Sequence, residues 1–148
     1  MADPLQADKL LSHAHSGSVR HAGAFMSRPL AGRLILIVED EPLVALDVIK
    51  TLRAAGARVL SAGYLESGLY TTEHPDLSAA VVDLHLGDGS GTAICRRLRQ
   101  RRVPFVVYTG YPPILISSEW PDVPVISKPA RPEQIISALE NVLPPLTT

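Results

Sequence analysis

The run Ala79-Ala80-Val81-Val82 stops at a single carboxylate, Asp83, and a glycine-rich loop, Leu84 to Gly91, follows at once. A run this short, apolar without alternation and bounded by turn residues, reads as a strand buried on both faces, the pattern of a parallel sheet. A charge inside such a strand is costly. At the C-terminal end it emerges instead into the crevice where open α/β sheets bind ligands. Asp83 is therefore expected at the working edge of a sheet.

The same unit recurs along the chain. Leu34 to Val38 is an apolar run ending in Glu39-Asp40-Glu41, and Val59 to Ala62, Phe105 to Tyr108 and Val123 to Ile126 are further runs. Segments of helical spacing lie between them. Pro42 opens the first, with Asp40 or Glu41 as cap and Leu43, Leu46, Val48, Ile49 and Leu52 as its apolar stripe, and Gly56 ends it. Tyr64 to His74, with Gly68 and paired threonines, predicts a weak helix. Thr92, Ala93, Ile94, Cys95 and Leu98 predict the buried stripe of a third. Pro112, Pro113 and Pro121 leave only Ile114 to Glu119 free before the fifth strand, so the fourth helix is expected to be short or distorted. Pro132 opens a last helix carrying Ile135, Ile136, Leu139, Val142 and Leu143, closed by Pro144-Pro145. Five alternations of strand and helix predict an α/β fold, a doubly wound five-stranded parallel sheet with right-handed crossovers and helices on both faces.

Composition narrows the function classes. Fourteen basic and fifteen acidic residues among 148 give a net charge of -1, so no bulk field draws the chain to nucleic acid or membrane. No apolar run approaches the ~18 residues of a spanning helix, and no signal-peptide pattern is present. The single cysteine, Cys95, excludes an internal disulfide and suits the reducing cytosol, so a cytoplasmic location is expected. On the stripe of the third helix it reads as a small buried hydrophobe. Arg96, Arg97, Arg99, Arg101 and Arg102 crowd the end of that helix. They read as a solvated face complementing the helix C-terminus rather than a phosphate or nucleic-acid site. Residues 1–32 are set apart as a flexible N-terminal extension. Leu5 to Leu11 there allows a short helix, His13 to Ser18 is small and polar, and His13, His15 and His21 match no metal spacing. Residues 33–143 form the domain and 144–148 a tail.

The polar residues at the strand ends are Glu39 and Asp40, Asp83, Thr109, and Lys128. In a parallel sheet these ends share one edge, so the five side chains converge in one crevice. A carboxylate is a competent nucleophile toward phosphorus, and phosphoryl transfer needs mainly positioning and neutralised oxygen charge. Mg²⁺ takes oxygen ligands, so two or three carboxylates and a carbonyl suffice. Two carboxylates ~4 Å apart repel by ~4 kcal/mol at an effective dielectric near 20, so the site without its cation is expected to be strained.

With these residues in view, the segment from about 33 to 143 resembles a two-component response-regulator receiver domain. The matching pieces are Val38-Glu39-Asp40-Glu41-Pro42, Asp83 with Gly91 eight residues on, Thr109, and Lys128-Pro129. The resemblance implies a flavodoxin-like sheet in the order 2-1-3-4-5, a cis peptide before Pro129, and Asp83 as phosphoacceptor. It implies that Glu39, Asp40, Asp83 and the backbone carbonyl of His85 hold Mg²⁺. Thr109, Lys128 and the backbone at Leu84 and Gly110 would contact the phosphoryl group. His85 as a side-chain ligand is an alternative.

The chain departs from the usual pattern at Gly87, where a proline commonly stands, at Gly110 in place of alanine, and at Val125 in place of an aromatic switch residue. Tyr111 is then the substitute aromatic, moving with Thr109 as the switch. The run Pro104 to Tyr111 resembles a variant, often single-domain subclass with a Phe-x-x-x-Thr-Gly-Tyr-like motif. A stand-alone receiver is expected, phosphorylated by a histidine kinase or phosphotransfer protein, and acting through an unnamed downstream protein or as a phosphate sink. Beyond self-phosphorylation and autodephosphorylation no enzyme activity is expected, and homodimerisation through the last helix competes with simple core packing. The alternatives are a phosphorylation-independent pseudo-receiver that only binds a partner, and a small Mg²⁺-dependent phosphatase. Against the phosphatase stand the lack of a phosphate-binding G-x-x-x-x-G-K loop and of a second acid two residues after Asp83.

Overall fold

The computed structural model describes residues 27–147. The elements run β1 Leu34–Val38, α1 Pro42–Ala54, β2 Arg58–Ala62, α2 Leu65–Thr71, β3 Ala79–Val82, β4 His85–Leu86, β5 Gly89–Ser90, α3 Thr92–Gln100, β6 Phe105–Thr109, α4 Ile114–Ser117, β7 Val125–Ser127 and α5 Pro132–Val142. Five strands make one parallel sheet in the order β2-β1-β3-β6-β7, and β4-β5 is a separate antiparallel hairpin. With the hairpin set aside, this is the expected 2-1-3-4-5 order.

The three central strands are buried at every residue, and their side chains alternate between two cores. Leu36, Val38, Val82 and Val107 join Ile94, Cys95 and Leu98 of α3 and Ile116 of α4 on one face. Ile35, Ile37, Val81 and Val106 join Val48 and Leu52 of α1 and Ile135 and Leu139 of α5 on the other. Helices on both faces are why the strand sequences are apolar throughout.

Some expectations need correction. The buried positions of α1 are Ala45, Val48 and Leu52, while Leu43 is 81% and Leu46 46% exposed. At 100° per residue those two leucines fall off the arc facing the sheet. Glu41 occupies the N-cap, but neither it nor Asp40 caps α1 with its side chain. The last strand is Val125–Ser127 rather than Val123–Ile126, because Val123 donates its N–H back to Trp120 in a turn. The apolar face of α5 is taken up inside the chain, with Ile135 and Leu139 buried and Ile136, Val142 and Leu143 packed at the margin.

Leu30, in the stretch set apart as an extension, is fully buried and donates its N–H to the Ala55 carbonyl at 2.8 Å. The expectations for Leu5 to Leu11 and for His13, His15 and His21 fall outside the described residues. The arginines of α3 tie it to neighbouring loops. Arg97 pairs with Glu73 at 2.5 and 2.9 Å, Arg99 with Asp122 at 3.0 Å, and Arg101 donates to the Thr72 and His74 carbonyls. Burial pushes the Cys95 thiol up to about 12, which keeps it unreactive. Among the described residues no helix is long and apolar enough to cross a membrane.

Candidate functional site

The sheet ladder continues one residue past several strand ends and sets the functional residues at one level. Glu39 N–H reaches the Ala62 carbonyl at 3.0 Å, Asp83 N–H the Val38 carbonyl at 2.9 Å, and Lys128 N–H the Thr109 carbonyl at 2.8 Å. The peptide after Lys128 is cis, as the resemblance implied. A crevice of about 220 Å³ opens above these ends, lined by Asp40, Glu41, Asp83, His85, Thr109, Gly110, Tyr111 and Lys128.

Lys128 is the electrostatic centre. Its Nζ lies 2.6 Å from Glu39 Oε2 and 3.1 Å from Asp83 Oδ2, and both carboxylates are buried. Burial above all pushes the Glu39 carboxyl above its ordinary value; the Asp83 charge adds to that and the Lys128 hydrogen bond opposes it. Burial likewise works against the Lys128 ammonium, but Glu39 and Asp83 together outweigh it and hold the group above its ordinary value. The strain expected of facing carboxylates is thus relieved from within the fold by this ammonium. Of the other oxygens, Asp83 Oδ1 accepts the His85 N–H at 3.0 Å and Glu39 Oε1 the Glu41 N–H at 3.2 Å.

Glu39, Asp40 and Asp83 each offer a carboxylate oxygen, all within 4.8 Å of one another. An all-oxygen set of this size fits Mg²⁺ and no soft metal. His85 lines the same crevice, as a backbone-carbonyl ligand must. Its ring is engaged elsewhere: Nδ1 lies 3.2 Å from the Tyr111 hydroxyl, and the rings meet edge to face at 5.7 Å. Among the described residues the group of possible ligand atoms is Glu39, Asp40 and Asp83, without the His85 ring. Thr109 is fully buried, its Oγ1 accepting the Tyr111 N–H at 3.1 Å. The Leu84 carbonyl accepts the Gly91 N–H at 2.9 Å. Space beside Gly110 is open, so no steric demand requires glycine there. At Gly91 there is no such space, since a Cβ would lie 2.3 Å from the Asp83 carbonyl oxygen and the backbone would have to shift.

The structure places the five strand-end side chains together; the hairpin between Asp83 and Gly91 was not read from the sequence. Its two-residue turn is Gly87-Asp88. Gly87 donates its N–H to Asp40 Oδ2 at 2.9 Å, and both Asp88 carboxylate oxygens accept the Leu65 N–H, at 3.0 and 3.1 Å. The Gly-Asp-Gly order of the turn was the available signal.

Residues 35–140 match the family model of the response regulator receiver domain. The chain is 28% identical over 130 residues to the phyllosphere-induced regulator PhyR of Methylorubrum extorquens, covering 84% of this chain and 48% of that protein. The crystal structure of the response regulator PhyR from Brucella abortus superposes with a TM-score of 0.68 at 25% identity, over 96% of this chain and 56% of that one. This chain thus spans about half the length of these relatives. The receiver domain of sensor histidine kinase PA1611 from Pseudomonas aeruginosa, whose structure has a magnesium ion coordinated in the active-site cleft, shares the fold with a TM-score of 0.67 at 24% identity, covering 76% of this chain and 98% of that one.

Proposed function

Since the chain belongs to the response-regulator receiver family, we propose that Asp83 accepts a phosphoryl group from a histidine kinase or phosphotransfer protein, and that the acyl phosphate governs binding to a downstream protein or drains phosphoryl groups from the kinase. The observation that carries this reading is one buried carboxylate 3.1 Å from an ammonium, inside an all-oxygen acidic cluster at the mouth of a crevice.

An Asp83 oxygen attacks phosphorus, the P–N bond to the donor imidazole breaks, and its electron pair returns to the ring nitrogen. Glu39, Asp40, Asp83 and the His85 carbonyl are the residues that would hold Mg²⁺, which neutralises charge on the phosphoryl oxygens. Lys128 moves from bridging Glu39 and Asp83 to pairing with a phosphoryl oxygen. The Thr109 hydroxyl leaves the Tyr111 N–H for another phosphoryl oxygen, and the shift of the Thr109-Gly110-Tyr111 segment carries the change to the surface. Intrinsic chemistry is limited to self-phosphorylation and hydrolysis of the same acyl phosphate, in the cytoplasm.

The test is a phosphate-affinity gel after incubation with acetyl phosphate and Mg²⁺. Wild type is expected to shift and Asp83→Asn not to; equal labelling of the two sinks the assignment. If beryllofluoride with Mg²⁺ leaves the melting temperature unmoved, the pseudo-receiver reading replaces it.

A further inference from the structure

The β4-β5 hairpin has only two residues per strand, too few to hold an orientation by itself. Both of its turn residues reach outward. On one side Gly87 donates its N–H to Asp40, whose carboxylate is one of the three in the acidic cluster. On the other side the Asp88 carboxylate accepts the first free N–H of α2, that of Leu65. Leu65 also closes over the hairpin: a Cβ on Gly89 would lie 2.8 Å from its Cδ2. The hairpin base is fixed by the Gly91 N–H on the Leu84 carbonyl. The turn is thus clamped at three points, and one of its backbone donors is aimed at a carboxylate.

We propose that the Gly87 N–H is a positioning group for the cation site: by binding Oδ2 it holds the Asp40 carboxylate in the cluster with Glu39 and Asp83, and Asp88 keeps that donor in place by anchoring the turn to α2. The proposal rests on the acidic cluster being the Mg²⁺ site. A carboxylate with one oxygen already fixed loses little rotamer freedom on binding a cation, whereas a free one must be ordered first. Because the donor is main chain, only substitution by proline removes it. Alanine keeps the N–H, and its Cβ would meet Asp40 Oδ2 at 3.4 Å, an ordinary contact.

Isothermal titration of purified protein with MgCl₂ alone tests this, with thermal unfolding checked for each variant. Gly87→Ala is expected to bind as wild type does. Gly87→Pro is expected to weaken binding on the order of ten-fold at an unchanged melting temperature. Equal loss in both variants, or no loss in Gly87→Pro, overturns the inference while leaving the site assignment intact. Absence of Mg²⁺ binding by wild type removes both. If Gly87→Pro does not fold, hydrogen exchange of the Gly87 amide decides instead. Protection in wild type that is lost in both Asp40→Ala and Asp88→Ala supports the clamp, and unchanged exchange in either variant overturns it.

Discussion

Replacing Lys128 by Met is the perturbation whose size can be worked most directly from the geometry. The ammonium lies 2.6 Å from Glu39 Oε2 and 3.1 Å from Asp83 Oδ2, and the two carboxylates are almost wholly buried. Without it, two anions whose oxygens lie within 4.8 Å of each other face one another unscreened. At an effective dielectric near 20 this repulsion is ~3.5 kcal/mol, in line with the 3–5 kcal/mol typically lost when one partner of a buried pair is removed. With a urea slope near ~2 kcal/mol/M, the unfolding midpoint should fall by about 1.7 M at pH 8 in chelator. The pH dependence has a definite sign. Glu39 already has a raised folded pKa, and losing Lys128 raises it further. A raised carboxyl favours the fold below its unfolded pKa and disfavours it as pH rises through the folded value. The deficit of Lys128→Met should therefore shrink on acidification as Glu39 takes up a proton. Mg²⁺ should also restore more stability to the variant than to wild type. A deficit that is the same at pH 8 and pH 5 and indifferent to Mg²⁺ would refute the electrostatic account.

Gly91→Ala forces a Cβ against the Asp83 carbonyl oxygen and should cost about 1–3 kcal/mol in urea unfolding while slowing labelling by acetyl phosphate; wild-type behaviour in both would show that the loop can retreat without consequence. Leu43→Ser should change stability by less than ~0.5 kcal/mol, whereas Leu52→Ala should lose ~2–5 kcal/mol, since only the second faces the sheet. Comparable losses by chemical denaturation would contradict the orientation of α1. The Cys95 thiol should resist a disulfide reagent in the folded protein and react fully in urea, and fast native labelling would contradict its burial.

The fold class and the convergence of the site were legible in the chain because each rests on local chemistry. Apolar runs such as Leu34 to Val38 declare strands buried on both faces, and a parallel sheet then places Glu39, Asp40, Asp83, Thr109 and Lys128 along one edge without further information. The prolines around Ile114 to Ser117 likewise fixed a short fourth helix by removing backbone donors. Which face of α1 is buried was not legible, because Leu43 and Leu46 are as apolar as Leu52 and only the angle at which the helix meets the sheet separates them.

Tertiary structure alone decided how charge is distributed in the crevice. The sequence presents two acids and a lysine separated by 45 and 89 positions, with nothing to say that the ammonium bridges both carboxylates before any cation binds. It alone also decided that Gly87 turns its N–H onto Asp40 and that His85 turns its ring to Tyr111 instead of to the acids. Hydropathy and spacing encode burial and chain direction, whereas hydrogen-bond partners across 26 to 89 residues are chosen only when packing fixes the distances between loops.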